Sequence, residues 1–293
     1  MHEGSYRGGW RSLFDHLLSW GLSVATARPH FSSLHLVTDS AGAELLVDRL
    51  GLAFDSISIS LDRLHAHDPD IWILGKLSAY REQTEPFLHI DSDVYLWQPP
   101  PPEFLAADVA AAYPEYLRLG NTYYRSESFK AEVRRAGGWL PEALDRYIPV
   151  RGILRAENCG VVGGRRTDFI SHYADQALRL IEHPDNQLAW SRRGQMQADS
   201  LILEQHMLSA ELERHRNDPQ SPFHGIAIRY LFAGEGDAAI NAGSRGFTHL
   251  IGGAKHNGEA LDRLAGWVRE ALPDHYARCH AIARQEAGAA AGF

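Results

Sequence analysis

A short apolar segment that ends in two aspartates is the feature that most constrains this chain. Residues 87–90 (Phe-Leu-His-Ile) form a nearly continuous apolar run, which is typical of a buried strand in a parallel sheet. Asp91 and Asp93 follow directly, one residue apart. Ligands of open α/β sheets bind beyond the carboxyl ends of the strands, and paired carboxylates there suit Mg²⁺ or Mn²⁺. The segment therefore predicts an α/β protein with a candidate metal–phosphate site.

The same aspartate pair also has a structural interpretation, as a cap at the end of a strand. The chain carries a second triplet of this form, Asp68-Pro69-Asp70, which no apolar strand precedes and which indicates a polar turn. The first pair differs because apolar residues follow it at Val94, Leu96 and Trp97. On this stretch alone, a metal site and a strand-end cap both stay open.

Helical and extended patterns alternate near the start of the chain. Apolar spacing predicts an amphipathic helix over 10–27, a buried strand over 34–37 and a short strand over 54–59, with a further helix between the strands. This β-α-β order favours a Rossmann-like, mostly parallel central sheet flanked by helices. Thr38 and Asp39 follow the first strand, and Asp39 is either the N-cap of the next helix or a partner of a nucleotide base or ribose.

Composition excludes several classes of protein. The 293 residues are 44% hydrophobic and 23% charged, which is ordinary for a chain that buries a core. A net charge of −8 argues against nucleic acid or an anionic membrane surface as the main partner. Because no apolar run approaches ~20 residues and the first seven residues carry no apolar signal segment, we expect a cytoplasmic protein without a membrane span.

Three motifs together resemble a known family. An apolar strand ending in D-x-D is similar to the signature of nucleotide-sugar glycosyltransferases of the GT-A fold. Residues 75–77 (Gly-Lys-Leu) resemble the lysine-leucine pair that precedes this motif in the retaining, glycogenin-like family 8. Residues 249–255 (His-Leu-Ile-Gly-Gly-Ala-Lys) resemble the second metal-and-phosphate motif of that family, H-x-x-G-x-x-K. The Pro-Trp usual after this lysine is replaced by His256-Asn257, so the resemblance is to a divergent relative.

The resemblance implies a single GT-A domain over 1–284, with an irregular or helical insertion at about 114–156 and a flexible tail at 285–293. The insertion is either an acceptor lid or a small helical subdomain. The implied reaction moves a sugar, with retention, from a UDP-sugar to an unknown acceptor such as a glycan, a peptide or a small molecule. The implied ligands of Mn²⁺ or Mg²⁺ are Asp91, Asp93 and His249. The implied donor-binding residues are Thr38, Asp39, Lys76, Asp91, Ser92, Gly160, Gly252 and Lys255.

Further candidates for the reaction centre lie in the second half of the chain. Asn158-x-Gly160 resembles the family's N-x-G strand facing the sugar, although a plain glycine-rich turn is an alternative. The family's Asp-Gln pair under the donor sugar is matched either by Asp199 or by Glu204-Gln205. Asp199 opens a predicted helix, which favours a carboxylate there, so the assignment leans toward Glu204 and Gln205.

Two other functions stay open. Phosphatases of the haloacid dehalogenase type also end a strand in D-x-D, but they place it near the N-terminus and need a later acidic pair, and no convincing pair follows here. The second is a degenerate GT-A domain that binds a nucleotide sugar or a partner protein without turnover. The few residues before the first predicted helix and the missing Pro-Trp motivate it.

Lys76 likewise has two interpretations, since it either extends to solvent or reaches a pyrophosphate.

Overall fold

Helices and short strands alternate along the chain. The computed structural model describes residues 8–118, 125–194 and 196–291. In chain order the elements are α1 (Leu13–Ala27), β1 (His35–Val37), α2 (Ser40–Ala43, continued as a π-helix over Glu44–Arg49), β2 (Ser56–Ser58), α3 (Ile73–Glu82), β3 (Phe87–Ile90), β4 (Val94–Leu96), α4 (Pro102–Leu105), β5 (Val109–Arg118), α5 (Ser126–Arg135), α6 (Glu142–Arg146), β6 (Ile153–Gly164), α7 (Thr167–Glu182), α8 (Gln187–Ser191), α9 (Met196–Leu201, continued as a π-helix over Ile202–His206), α10 (Met207–Arg216), β7 (Ile228–Tyr230), α11 (Glu235–Asn241), β8 (Phe247–His249), α12 (Gly258–Ala271) and α13 (Pro273–Ala291).

These elements form two units, each assembled from segments that are distant in the sequence. The first unit takes residues Met1–Ala66, Ile90–Pro99 and Ala242–Phe293, and the second takes His67–His89 and Pro100–Asn241. The sequence predicted one domain over 1–284. The division follows neither that boundary nor the expected insertion at 114–156, since the chain passes between the units four times.

The first unit holds a helical core beside two pairs of strands. Strands β1 and β2 are parallel, whereas β4 and β8 are antiparallel. Helix α1 begins at Ser12, whose hydroxyl accepts a hydrogen bond of 3.1 Å from the backbone N–H of Asp15. Its apolar face packs with α2, α12 and α13 in a core formed by Trp10, Leu17, Leu18, Leu22, Leu36, Leu46, Leu50, Leu52, Tyr95, Leu261, Leu264, Val268, Cys279 and Ile282.

The second unit is built on a four-stranded sheet in the order β3-β6-β5-β7. Strand β5 runs antiparallel to β6 and parallel to β7. The long pair β5–β6 shifts its register between Ala111 and Tyr113. The α/β class is therefore confirmed and the sheets are partly parallel, but the mostly parallel central sheet expected from the sequence is not what forms. A strand that is buried on both faces has the same apolar pattern in either direction, so the pattern does not specify its orientation.

The C-terminal segment is helical as far as it is described. Residues 285–291 continue helix α13, 292–293 lie outside the described residues, and the flexibility expected over 285–293 stays a prediction. Alanine has the highest helix propensity, so an alanine-rich segment can extend a helix that is already nucleated. Of the expected insertion at 114–156, residues 119–124 lie outside the description, and the remainder holds α5, α6 and the ends of β5 and β6. In the described ranges, no helix combines the length and apolar character that crossing a bilayer requires.

Candidate functional site

Strands β4 and β8 bring together residues that are far apart in the sequence. Val94 lies opposite His249 in this antiparallel pair, and the backbone N–H of Leu250 donates to the carbonyl of Asp93 at 3.0 Å. Asp93 therefore lies beside His249, as the two implied metal motifs require. Both belong to the first unit, as do Asp91 and Lys255.

The carboxylate of Asp93 is contacted on both oxygens. His249 Nε2 lies 3.3 Å from Oδ1, and Lys255 Nζ lies 2.6 Å from Oδ2. Asp91, Asp93 and His249 each offer a ligand atom, and these atoms all lie within 4.8 Å of one another. The side chains of Asp93 and His249 are only 9% and 10% exposed. The arrangement is a largely buried cluster of two carboxylates, an imidazole and an ammonium group.

One buried polar atom of this cluster indicates that it fits a cation. Asp93 Oδ1 makes no hydrogen bond among the described residues, although such atoms are normally satisfied. Metal–ligand bonds of about 2.1 Å at right angles place neighbouring ligand atoms roughly 3 Å apart. The 3.3 Å between Asp93 Oδ1 and His249 Nε2 is close to that separation. A divalent ion bound between Asp93 Oδ1 and His249 Nε2 would coordinate this carboxylate oxygen.

The charges of the cluster keep Asp93 ionised. Burial alone would raise the pKa of this carboxyl group, but attraction to His249 and Lys255 outweighs burial and repulsion from Asp91, so the pKa is lowered. The pKa of His16 on α1 is also lowered, but for an imidazole a lower pKa favours the neutral form. Burial, with repulsion from Lys255, lowers the pKa of His16 to about 4. A neutral imidazole at His16 therefore faces the ionised carboxylate of Asp93.

Helix α1 positions the segment that carries the two aspartates. The Ser19 hydroxyl donates to the carbonyl of Ser92 at 2.6 Å and lies 2.8 Å from the Tyr95 hydroxyl. The Ser23 hydroxyl donates to the carbonyl of Asp91 at 3.2 Å. Neither serine was predicted from the sequence. Their signal was a buried hydroxyl repeated four residues apart on an otherwise apolar helix face.

The second motif forms a tight turn that presents its lysine. Residues Gly252–His256 form a 3₁₀-helix in which Gly252 has φ = 52°, a left-handed conformation that favours glycine. Lys255 Nζ donates to the carbonyl of Gly8 at 2.8 Å and lies 5.5 Å from the ring centre of Trp10. Lys255 is thus held beside Asp93 by a backbone carbonyl and an indole ring. The contacts with Gly8 and Asp93 use two of its three N–H groups, which leaves one for an anion.

Asp39 acts as the N-cap of α2. Its Oδ1 accepts a hydrogen bond of 2.6 Å from the backbone N–H of Gly42, and its Oδ2 lies 3.3 Å from His65 Nε2. The backbone N–H of the neighbouring Thr38, which is buried, donates to the carbonyl of Ser58. The cap interpretation is confirmed, while contact of either residue with a nucleotide stays a prediction.

Replacing Asp39 with alanine is expected to cost about 1 kcal/mol of unfolding free energy, because the cap hydrogen bond is lost. Asp39→Asn is the matched control, since asparagine caps a helix about as well without the charge. Urea unfolding monitored by circular dichroism measures both variants. Equal losses for the two substitutions would contradict a role limited to the cap.

Lys76 and Glu204 form a buried ion pair in the second unit. Lys76 Nζ lies 2.7 Å from Glu204 Oε1, which also accepts a hydrogen bond of 2.9 Å from the Tyr80 hydroxyl. Glu204 is fully buried, and Gln205 follows it on the same π-helical turn. Lys76 therefore neutralises a buried carboxylate, which neither of its sequence interpretations included. A role of Lys76 toward a pyrophosphate stays a prediction.

The other two candidates of this unit also have internal partners. Asn158 lies within β6, not in a turn, and its Nδ2 donates to Tyr113 at 3.2 Å and Glu115 at 2.8 Å. Its Oδ1 accepts from the backbone N–H of Gly160 at 3.2 Å. Asp199 pairs through both oxygens with Arg193, with 2.6 Å between Oδ1 and Nη2. Asp199 therefore has a structural partner, as Glu204 has in Lys76, and the choice between Asp199 and Glu204-Gln205 for the reaction stays a prediction.

Comparison with known sequences identifies a family but no activity. The family described as "Family of unknown function (DUF6734)" matches residues 2–282, and the chain belongs to it. No curated protein matches the chain, and no solved structure does.

Proposed function

We propose that this chain, as a member of that family, is a metal-dependent glycosyltransferase that uses a nucleotide-sugar donor, with UDP as the expected nucleotide. The observation that carries the proposal is the contact of a single buried carboxylate, Asp93, with both His249 and Lys255. An acidic pair, an imidazole and an ammonium group at one place suit a divalent cation and a diphosphate together.

The residues divide into metal ligands and phosphate partners. Asp91, Asp93 and His249 would hold Mn²⁺ or Mg²⁺, which supplies positive charge that stabilises a departing diphosphate. Lys255 donates hydrogen bonds to phosphate oxygens, since an ammonium group is a compact donor for such an anion. Gly252 keeps the turn before Lys255 free of a side chain, so a phosphate can approach the backbone.

The proposed reaction exchanges one bond at the sugar for another. The bond between the anomeric carbon and the donor's phosphate oxygen breaks, and its electron pair leaves with the nucleoside diphosphate. A bond forms between the same carbon and the acceptor oxygen, whose proton passes to the leaving diphosphate or to solvent. Negative charge develops on the leaving group, where Lys255 is placed to stabilise it. Retention of configuration follows from the motif resemblance alone.

A product assay tests this function. The full chain is incubated with Mn²⁺ and a panel of nucleotide sugars, and nucleoside diphosphate and inorganic phosphate are measured separately. Release of nucleoside diphosphate supports sugar transfer or its hydrolytic side reaction. Binding without release identifies an inert binder, and inorganic phosphate from simple phosphoesters identifies a phosphatase. Either result overturns the proposal, as does the absence of both binding and release across the panel.

Removing the metal is expected to weaken UDP binding at least tenfold, because the diphosphate then faces Asp91 and Asp93 without a bridging cation. A tenfold change corresponds to about 1.4 kcal/mol of binding free energy. Calorimetry with UDP in Mn²⁺ and in EDTA measures the difference, and uridine serves as the control ligand without phosphates. Equal UDP affinity in the two buffers would exclude a metal-bridged diphosphate.

A further inference from the structure

A second cluster of metal-ligating side chains lies in the second unit. His172 comes from α7, and Glu211 and His215 come from one face of α10, four residues apart. Their three ligand atoms converge on one point. His215 Nε2 lies 3.1 Å from Glu211 Oε2 and 3.2 Å from His172 Nε2, and His172 Nε2 lies 3.4 Å from Glu211 Oε2.

This triangle has the dimensions of a tetrahedral metal site. Zinc binds nitrogen and oxygen ligands at about 2.0–2.1 Å, which places two ligands of a tetrahedron roughly 3.3 Å apart. All three measured separations, 3.1, 3.2 and 3.4 Å, are close to that value. Two histidines and one glutamate also form one of the ligand sets that bind zinc with an open fourth position.

The hydrogen-bond partner of His215 favours an imidazole that is ready to bind a cation. His215 Nδ1 lies 2.7 Å from the Ser221 hydroxyl. That hydroxyl oxygen also accepts the backbone N–H of Phe223 at 2.9 Å. If Nδ1–H donates to Ser221, the lone pair of Nε2 points at Glu211 and His172. Metal-bound histidines are oriented in this way, by a partner on the nitrogen opposite the metal.

The surroundings are apolar, with one side that reaches solvent. The rings of Phe169 and Phe223 pack edge-to-face against His215, at 6.2 and 5.2 Å between centroids. Glu211 and His215 are buried, whereas the His172 side chain is 31% exposed.

We propose that His172, Glu211 and His215 bind Zn²⁺ or a similar borderline divalent metal, with the fourth position open to water on the side of His172. This ligand set contains two imidazole nitrogens, whereas the cluster of the first unit contains two carboxylates. The nitrogens favour zinc over Mn²⁺ or Mg²⁺. The sequence signal is the spacing Glu-x₃-His on α10, which places both side chains on one helix face.

The test measures zinc bound to the stripped full chain. To keep the other cluster from contributing, all variants carry Asp93→Asn. After dialysis against Zn²⁺, one metal per chain is expected, counted by elemental analysis, and Co²⁺ in its place should give the strong visible absorption of a tetrahedral site. Glu211→Gln should weaken zinc binding more than about 100-fold, beyond the 10–100-fold typical of losing an outer partner. Glu213→Gln, an exposed position on the same helix, is the matched control.

Two more variants keep the proposal falsifiable if Glu211→Gln does not fold. His172→Gln changes a partly exposed ligand and should also abolish binding, whereas Ser221→Ala should weaken it by about 10–100-fold. Zinc affinity of His172→Gln equal to that of Glu213→Gln would overturn the site, leaving only a hydrogen-bonded His-Glu-His network. Loss of zinc with unchanged Mn²⁺-dependent UDP binding, tested with Asp93 restored, would support it independently of the glycosyltransferase proposal.

Discussion

Replacing Asp93 with asparagine is expected to lower Mn²⁺-dependent UDP affinity by about 100-fold or more, equivalent to roughly 2.7 kcal/mol. The substitution removes the carboxylate that contacts both His249 and Lys255. It thereby removes an anionic metal ligand and the negative charge that pairs with Lys255. Because asparagine is nearly the same size, the backbone pairing of β4 with β8 should persist.

The stability cost of this variant should be modest compared with its effect on binding. Lys255 keeps its hydrogen bond to the carbonyl of Gly8 and is partly exposed, so we expect a loss of about 1–3 kcal/mol. Calorimetry with UDP and Mn²⁺ measures binding, and circular dichroism checks the fold. Asp70→Asn, in the chain's other D-x-D triplet, is the control and should bind like the unchanged protein. A folded Asp93→Asn variant with unaltered affinity would exclude the proposed metal site.

Replacing Gly163 with alanine is expected to destabilise the second unit by about 3 kcal/mol or more. Gly163 lies in β6, beside β3 in the sheet. A Cβ atom there would come within 2.1 Å of the carbonyl oxygen of Phe87 and 2.8 Å of the Cα of Leu88. Both neighbours are backbone atoms of a strand, so they cannot rotate away as a side chain can. Either the strand pairing or the strand itself must move.

The control is a glycine of the same unit with free space around it. At Gly236, in α11, an added Cβ would meet no atom within 4 Å, so Gly236→Ala should be neutral or stabilising by up to about 1 kcal/mol. Urea unfolding followed by fluorescence and circular dichroism compares the two variants. Similar unfolding midpoints would show that β3 and β6 do not approach as closely as described.

Local features were predictable because their causes are local. The apolar period of residues 10–27 predicted α1, and Asp39 followed by an apolar helix predicted the cap that is observed. The segment ending in Asp91 and Asp93 was predicted as a strand for the same reason, and β3 occupies 87–90. The predicted burial was wrong, because β3 is an edge strand whose four residues are only half-buried. The motif spacing also indicated His249 and Lys255 as partners of that pair, though only through resemblance.

Partners of buried charges were not predictable. The sequence predicted that Lys76 extends to solvent or reaches a pyrophosphate and that Glu204 lies near a sugar. In the structure the two residues pair with each other. Ser19 and Ser23 donate hydrogen bonds to the segment that carries the aspartates, although α1 is far from it in the sequence. His172 on α7 likewise contacts Glu211 on α10. No pattern within one helix or strand contains this information.

The amino-acid sequence by itself determined the approximate positions of α1 and the first three strands, the apolar face of α1, and which residues carry metal-binding chemistry, since these depend on spacing within a few turns. The tertiary structure alone decided that the chain divides into two units and that β5 and β6 run antiparallel, and it set the distances at which Asp93 meets His249 and Lys255. The physical reason is that strand direction and the pairing of distant charges depend on how separate segments pack, and buried segments with the same apolar pattern can pack in more than one way.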